Sequence, residues 1–373
     1  MADLRFGILG MGGIGTHHAK YIASGKVAGA ALTAFSSRDP ARLSAASAKF
    51  PAAQSFADYR QMLSSGACDA VLIATPQSQH IPMILDSFSA GMHVLVEKPL
   101  AITVAQAQAA IDAAKKFPNL RFGIMLNQRA NPVHQWLRRQ FLAGTLGTLT
   151  RISWTVTHWF RPWIYYTATP WRASWRETGG GVLINQAHHQ LDLLQWITGI
   201  MPRRVTAVGF LAKRHPMETE DEISAILEYE TGAIGHFFAS TGEFPGTNRL
   251  EIITTRARIV LEDEKLTLHR SDQDADQFLK TGTDPFGSPG KSLEATPNLP
   301  PAPSPEHLGI VQDFTTVIHQ NLPTERLLAP ASDGIPALEL GSAMLMSGIT
   351  RQPVDIPLAA GSFEKFLADR PAK

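Results

Sequence analysis

The residues best placed to do chemistry gather in Glu177–Trp196, ETGGGVLINQAHHQLDLLQW. Three glycines run into a helical pattern whose apolar surface comes from Leu183, Ile184, Leu191, Leu194 and Ile197. Asn185, His189 and Asp192 stand at i, i+4 and i+7, one stripe of a helix, with His188 beside them. A polar stripe on a mostly buried helix is unfavourable unless its groups are paired or face a wet cleft. An imidazole exchanges protons near neutrality, and an amide orients a hydroxyl. A glycine-rich entry lets a ligand approach the backbone. The alternative is a set of satisfied core groups.

A second constellation lies near the N-terminus. GILGMGGIG places Gly10, Gly12 and Gly15 in G-x-G-x-x-G spacing, directly after an apolar strand and opening a helix. Such a loop, here Gly10, Met11, Gly12, Gly13, Ile14 and Gly15, brings backbone N–H groups against a pyrophosphate. The end of the next strand reads AFSSRDP, with Ser36, Ser37 and Arg38 where an NAD site usually carries an acid. A small polar residue beside Arg38 suits a 2′-phosphate, so NADP is the preferred cofactor. NAD is the alternative, with Asp39 on the ribose, although Asp39 before Pro40 reads as a helix N-cap.

Further candidates sit at the carboxyl ends of later strands, where open α/β sheets bind ligands. Thr75, Pro76 and His80 in IATPQSQH either contact the cofactor or only turn and cap the chain. Glu97 and Lys98 in VLVEKPL end another strand. Lys98 is either a proton-exchanging amine in the cleft or a surface lysine, and the Lys98–Pro99 bond is a candidate for cis. Gln128 and Arg129 in LNQR are candidates for nicotinamide or substrate contact.

These groups need a scaffold, and the patterning supplies two. The first 126 residues alternate short continuous apolar runs with helical segments, which argues for a parallel sheet covered on both faces. Residues 127–373 hold successive alternating, β-branched runs with turn residues between them, which argues for an antiparallel sheet. A proline-rich stretch, 282–305, reads as a surface loop, and helices are expected over 306–320 and 333–348. Hydrophobic residues make up 44 % and charged residues 18 %, with a net charge of +1. That balance gives no field for nucleic acid or an anionic membrane. No run is long enough to span a bilayer, so a cytoplasmic protein is expected. The single cysteine, Cys68, excludes an intramolecular disulfide and a cysteine zinc cluster, and no metal site is expected.

One aromatic segment hints at the ligand. Residues 157–181 carry Trp159, Trp163, Tyr165, Tyr166, Trp171 and Trp175 with Arg161, Arg172 and Arg176. Aromatic faces stack on sugar rings and Arg forks bind hydroxyls or carboxylates. The same residues also suit an oligomer interface.

The glycine motif, EKP at 97–99 and GGGVLINQAHHQLD, in this order, resemble the Gfo/Idh/MocA oxidoreductases over nearly the whole chain. The resemblance implies an α/β protein: an N-terminal Rossmann domain and a C-terminal α/β domain with a large open, mainly antiparallel sheet, often used for dimer or tetramer contacts. It implies nicotinamide chemistry on a secondary hydroxyl of a sugar, polyol or glycoside. It maps the catalytic lysine onto Lys98, the helix histidine onto His189 and the last acid of the pattern onto Asp192. Asn185 stands where the family has an aspartate. Asn185 would then orient a hydroxyl, His188 would contact substrate, and Lys98 with His189 would carry the proton. A redox-neutral glycoside-cleaving enzyme with tightly bound NAD(H), passing through a 3-keto sugar, is the alternative. A ligand-sensing regulator is a third reading.

Overall fold

Ala70–Ile73 and Val94–Val96 are wholly buried and Val-, Leu- and Ile-rich, as strands covered on both faces must be. The computed structural model describes residues 2–290, 293–295, 299 and 306–370. Contacts divide it into two units, Met1–Asn131 with Ala302–Leu338, and Pro132–Pro301 with Glu339–Lys373.

In the first unit β1 (Leu4–Leu9), α1 (Gly13–Ala23), β2 (Ala30–Ser36), α2 (Pro40–Lys49), β3 (Gln54–Phe56), α3 (Tyr59–Ser64), β4 (Ala70–Ile73), α4 (His80–Ser89), β5 (His93–Val96), α5 (Val104–Ala114) and β6 (Phe122–Ile124) follow in order. All strands are parallel, in the order β3-β2-β1-β4-β5-β6. This is the doubly wound dinucleotide-binding order, with its switch point between β1 and β4.

The unit is not the contiguous 1–126 expected. Its boundary falls at Asn131, and a distant helix, Glu306–His319, completes it. That helix buries Leu308, Ile310, Val311, Phe314 and Val317. Phe314 packs 6.3 Å from the Phe6 ring, and a Cβ on Gly123 would lie 3.1 Å from it. Apolar surface left open by the sheet explains why the chain returns.

The second unit contains α6 (Pro132–Leu142), β7 (Leu149–Val156), α7 (Trp163–Thr167), α8 (Trp175–Thr178), α9 (His188–Thr198), β8 (Arg204–Leu211), β9 (Glu220–Glu228), β10 (Ile234–Ser240), β11 (Asn248–Thr254), β12 (Ala257–Glu262), β13 (Lys265–Arg270), β14 (Leu293–Ala295) and β15 (Val354–Asp355). Its sheet runs β14-β13-β12-β11-β7-β10-β9-β8-β15. Every pair is antiparallel except β7 with β10. β14 lies inside the stretch expected to be loop. Residues 291–292, 296–298 and 300–305 of that stretch lie outside the described residues. Among the described residues no helix is long and apolar enough to cross a membrane.

Candidate functional site

The β1–α1 turn is built for an anion. Gly10 has φ of 98°, where a Cβ would strain the backbone and lie 2.8 Å from the Ala74 carbonyl oxygen. A Cβ on Gly15 would fall 1.9 Å from the Gly10 carbonyl oxygen. Gly13 has nothing within 4 Å of such a Cβ, so the loop's outer side is open. Gly12 caps α1 without a side-chain hydrogen bond, and the first turn has no acidic residue. The N–H groups there are left to a ligand, and a phosphate fits them. Met11 is buried and Ile14 exposed at this turn.

At the end of β2, Ser36 and Ser37 are buried and Arg38 is exposed. Asp39 is the N-cap of α2, accepting from Ala41 N at 2.9 Å and Arg42 N at 3.2 Å, and it pairs with the Arg42 side chain. Arg38 lines a cavity of about 460 Å³ with Asp58, Tyr59, Arg60, Ser78, Gln79 and Met83. Arg60 is paired with Asp86 at 3.1 Å and stacks on Tyr59. The cavity therefore holds Arg38 at the strand end together with Asp58, whose carboxylate caps α3 by accepting from Arg60 N at 2.9 Å.

Thr75 and Pro76 are half-buried at the end of β4. His80, expected to touch the cofactor, is instead fully buried. Its ring nitrogens lie 2.9 Å from the Pro99 carbonyl oxygen and 3.0 Å from that of Thr75. Burial pushes its pKa down. It is a strut between two strand-end turns. Glu97 is buried, and Lys98 is half-buried with a cis bond to Pro99. Gln128 donates to Glu306 at 2.7 Å. Arg129, expected at a cleft edge, is 1 % exposed. It donates to Asp333 at 2.5 Å and to the Leu328 carbonyl, so it braces the unit's interior.

The second unit corrects the reading of the three glycines. One is set by its backbone conformation and two by packing. Gly179 ends α8 at φ 71°. A Cβ on Gly180 would lie 2.6 Å from Ile184, and one on Gly181 would lie 1.9 Å from the Glu220 carbonyl oxygen. Gly181 lets the chain pass against β9, and Gly180 packs on Ile184 and Leu345.

The helix that follows is not one helix. Val182–Gln186 form a π-turn, closed by Ala187 N donating to Val182 O at 2.8 Å, before α9 begins. The extra residue rotates the preceding turn by roughly 100° relative to a continued α-helix. Asn185 is half-buried, while His189 is 9 % and Asp192 1 % exposed. The stripe expected at i, i+4 and i+7 is thus broken between Asn185 and His189. Asp192 accepts from Gln195 at 3.3 Å. His188, expected to contact substrate, is 0 % exposed and belongs to the core.

Glu220 was not expected at all. It is fully buried, and its carboxylate accepts from Gly181 N at 2.7 Å and Leu183 N at 3.0 Å. It caps the π-turn from β9. Burial raises its pKa to about 7 against the pull of those N–H groups. The sequence offers no signal for it, because Glu220 opens β9 as the first of three consecutive acids and nothing in the pattern singles it out for burial.

The aromatic segment splits into roles. Tyr166 is buried, donates to Thr241 at 3.3 Å and has its phenol pushed up to about 12 by burial. It is a core residue rather than a substrate contact. Trp163 is 64 % exposed, with its indole N–H on the Arg214 carbonyl. Arg172 lies over the rings of Tyr165 at 4.4 Å and Trp171 at 5.2 Å. Gln186 of the π-turn donates to the Tyr165 hydroxyl at 3.3 Å. Half-buried aromatic and guanidinium faces thus adjoin the π-turn that carries Asn185.

Comparison with known proteins agrees with this layout. Residues 4–122 match the GFO_IDH_MocA family model, described as an oxidoreductase family with an NAD-binding Rossmann fold. Residues 134–260 match the GFO/IDH/MocA C-terminal domain. The rhizopine catabolism protein MocA of Rhizobium meliloti is 30 % identical over 54 % of this chain and 59 % of its own length. The scyllo-inositol 2-dehydrogenase (NAD(+)) of Bacillus subtilis is 27 % identical over 69 % of this chain and 74 % of its own. The chain thus spans less than two thirds of the first of these relatives. The WlbA dehydrogenase of Bordetella pertussis, solved with NADH and UDP-GlcNAcA, shares the fold with a TM-score of 0.79 at 23 % identity, over 96 % of this chain and 100 % of its own. With both domain models matched in order, the chain belongs to the Gfo/Idh/MocA oxidoreductase family.

Proposed function

We propose that this protein is a nicotinamide-dependent dehydrogenase acting on a secondary hydroxyl of a sugar or polyol. The observation that carries the reading is the β1–α1 turn, whose glycines and uncapped helix start form a pyrophosphate cradle at the switch point of a doubly wound sheet. Gly10–Gly15 would hold the pyrophosphate, and Thr75 and Pro76 would border it. A bound nicotinamide supplies a hydride donor and acceptor.

Lys98 accepts the hydroxyl proton on oxidation and returns it on reduction, with His189 as the second acid–base group. Lys98 in its charged form stabilises developing alkoxide charge. Asn185 and Asp192 orient hydroxyls. An amide at 185 cannot take a proton, so the acid–base work rests on Lys98 and His189. The sugar or polyol class is supported by the relatives' names and by the guanidinium–aromatic cluster of Tyr165, Trp171 and Arg172. The cofactor reading favours NADP, because Arg38 is exposed in the cavity while Asp39 is committed to α2. The partner reading is a homodimer or homotetramer through the open sheet. Val208, Phe210, Ile226 and Ile234 are each at least 40 % exposed on neighbouring strands.

Turnover of a panel of sugars, inositols and glycosides with NADP and NAD tests the reading. Lys98→Ala should lower kcat by about 10²–10⁴-fold while cofactor binding persists. Near-normal turnover in that variant sinks the assignment. Arg38→Ala should raise KM for NADP by about 10–100-fold and leave that for NAD nearly unchanged, since a charge-assisted hydrogen bond contributes about 1.5–3 kcal/mol. Equal changes for the two cofactors remove the NADP preference.

A further inference from the structure

The first unit buries a chain of titratable groups that the proposed chemistry does not yet use. α1 turns His18 inward, where it is 0 % exposed. The His18 Nδ1 meets the Tyr21 hydroxyl one turn along, and its Nε2 lies 2.7 Å from Glu97 Oε1. The other Glu97 oxygen accepts the backbone N–H of Lys98 at 3.2 Å. His307, from the helix Glu306–His319, packs edge-on against His17 at 5.4 Å and His18 at 5.6 Å. Asn127 Nδ2 lies 3.2 Å from the His307 ring nitrogens and donates to Glu306 at 3.1 Å.

The charges of this cluster can be assigned. Burial penalises ionised Glu97, but the His18 hydrogen bond and the nearby Lys98 outweigh it, and its pKa lies below the usual carboxylate range. Burial pushes Tyr21 upward, so its phenol stays neutral. Burial pulls His307 down to about 4 and lowers His17 as well, so both stay neutral near pH 7. Facing one another are therefore His17, His18 and Tyr21 of α1, Glu97 and Lys98 after β5, and Glu306 and His307 of the returning helix. Glu97 is the buried anion among them, one residue before the proton carrier.

We propose that Glu97, held by His18 and Tyr21, is a positioning residue of the site: it fixes the chain at Lys98 and supplies the negative charge that strengthens the lysine's hold on its proton. This rests on the reading of Lys98 as the acid–base group. Three elements far apart in sequence build it. His18 and Glu97 are 79 residues apart, and His307 enters from the distal helix. An ionised carboxylate near an ammonium favours the charged form, so its loss makes Lys98 a weaker base.

The test measures Lys98 directly in the full chain. Trace acetic anhydride labels unprotonated amines, and mass spectrometry of the Lys98 peptide across pH gives the lysine's titration without reference to turnover. Glu97→Gln should move that titration down by about one pH unit. Tyr21→Phe should move it the same way by less. A Glu97→Gln titration superimposable on the wild type overturns the proposal. Should Glu97→Gln lose its cooperative melt, Glu97→Met removes the same charge at similar volume and carries the same expectation and the same refutation. Turnover is read on the same samples. Activity persisting in Lys98→Ala refutes the dehydrogenase base and leaves the labelling result standing, so the two failures are separable.

Discussion

Glu220 should make the second unit less stable as pH rises, and Glu220→Gln should remove that dependence. The carboxyl is fully buried, and its pKa in the fold is about 7. In the unfolded chain a glutamate titrates near ~4.3. The folded value lies above the unfolded one, so the native state keeps a proton that the unfolded chain releases. Its contribution is complete below the unfolded pKa and is lost as pH rises through about 7. A difference of about 2.7 units corresponds to about 3.7 kcal/mol. For a unit of roughly 200 residues that is about 7–15 °C in Tm. The glutamine cannot ionise. It leaves one of the N–H groups of Gly181 and Leu183 facing an amide NH₂, at a cost of about 1–2 kcal/mol at every pH.

Denaturant melts of both proteins at pH 5 and pH 8 give the result as a double difference. The variant should be less stable than the wild type at pH 5. By pH 8 that gap should have moved in the variant's favour by about 2.5 kcal/mol, since part of the contribution is already lost at pH 5. The double difference matters because His93 and His307 run the other way. Burial pulls both to about 4, so their contribution is present above the unfolded histidine value and is lost as pH falls through the folded one. Those terms are common to both proteins and cancel. A gap between variant and wild type that stays constant from pH 5 to pH 8 would refute the reasoning.

Three further outcomes follow from packing. Gly181→Ala should destabilise the second unit by about 3 kcal/mol or more in thermal melts, because its Cβ would fall 1.9 Å from the Glu220 carbonyl oxygen and the sheet backbone must move. Arg129→Met should cost about 2–3 kcal/mol in denaturant melts, less than a fully buried pair because the Asp333 side chain is 38 % exposed. Tyr166→Phe should lower stability by about 0.5–1.5 kcal/mol and leave the substrate KM unchanged, whereas a rise in KM would return Tyr166 to the substrate site.

The scaffold was legible because its signals are local. Continuous apolar runs such as Val71–Ile73 and alternating ones such as Ile223–Leu227 announce strands of two kinds, and glycine spacing after β1 announces the cradle. Asp39 before Pro40 read correctly as a cap for the same reason. What stayed hidden depends on depth or on long-range pairing. Residue type placed His80, Arg129 and Tyr166 among ligand contacts, but His80 bridges two backbone carbonyls, Arg129 pairs with Asp333 and Tyr166 donates to Thr241. The π-turn adds a residue where the pattern reads as α-helix, so the spacing of Asn185 to His189 misled. Glu220 reaches the N–H groups of Gly181 and Leu183 within the second unit, and His18 reaches Glu97 within the first, through pairings that no local rule links.

The helix Glu306–His319 also dictates when the first unit can finish folding. Its Phe314 and Val311 are at most 1 % exposed, and Phe314 packs against the ring of Phe6 in the first strand. At synthesis rates of about 5–20 residues per second, close to 200 residues must be added between Asn131 and that helix, a delay of roughly 10–40 s. Throughout it the nascent nucleotide-binding sheet keeps an uncovered apolar face. The cell must tolerate or shield that face during translation, and a gene fragment ending at Asn131 would leave it exposed for good.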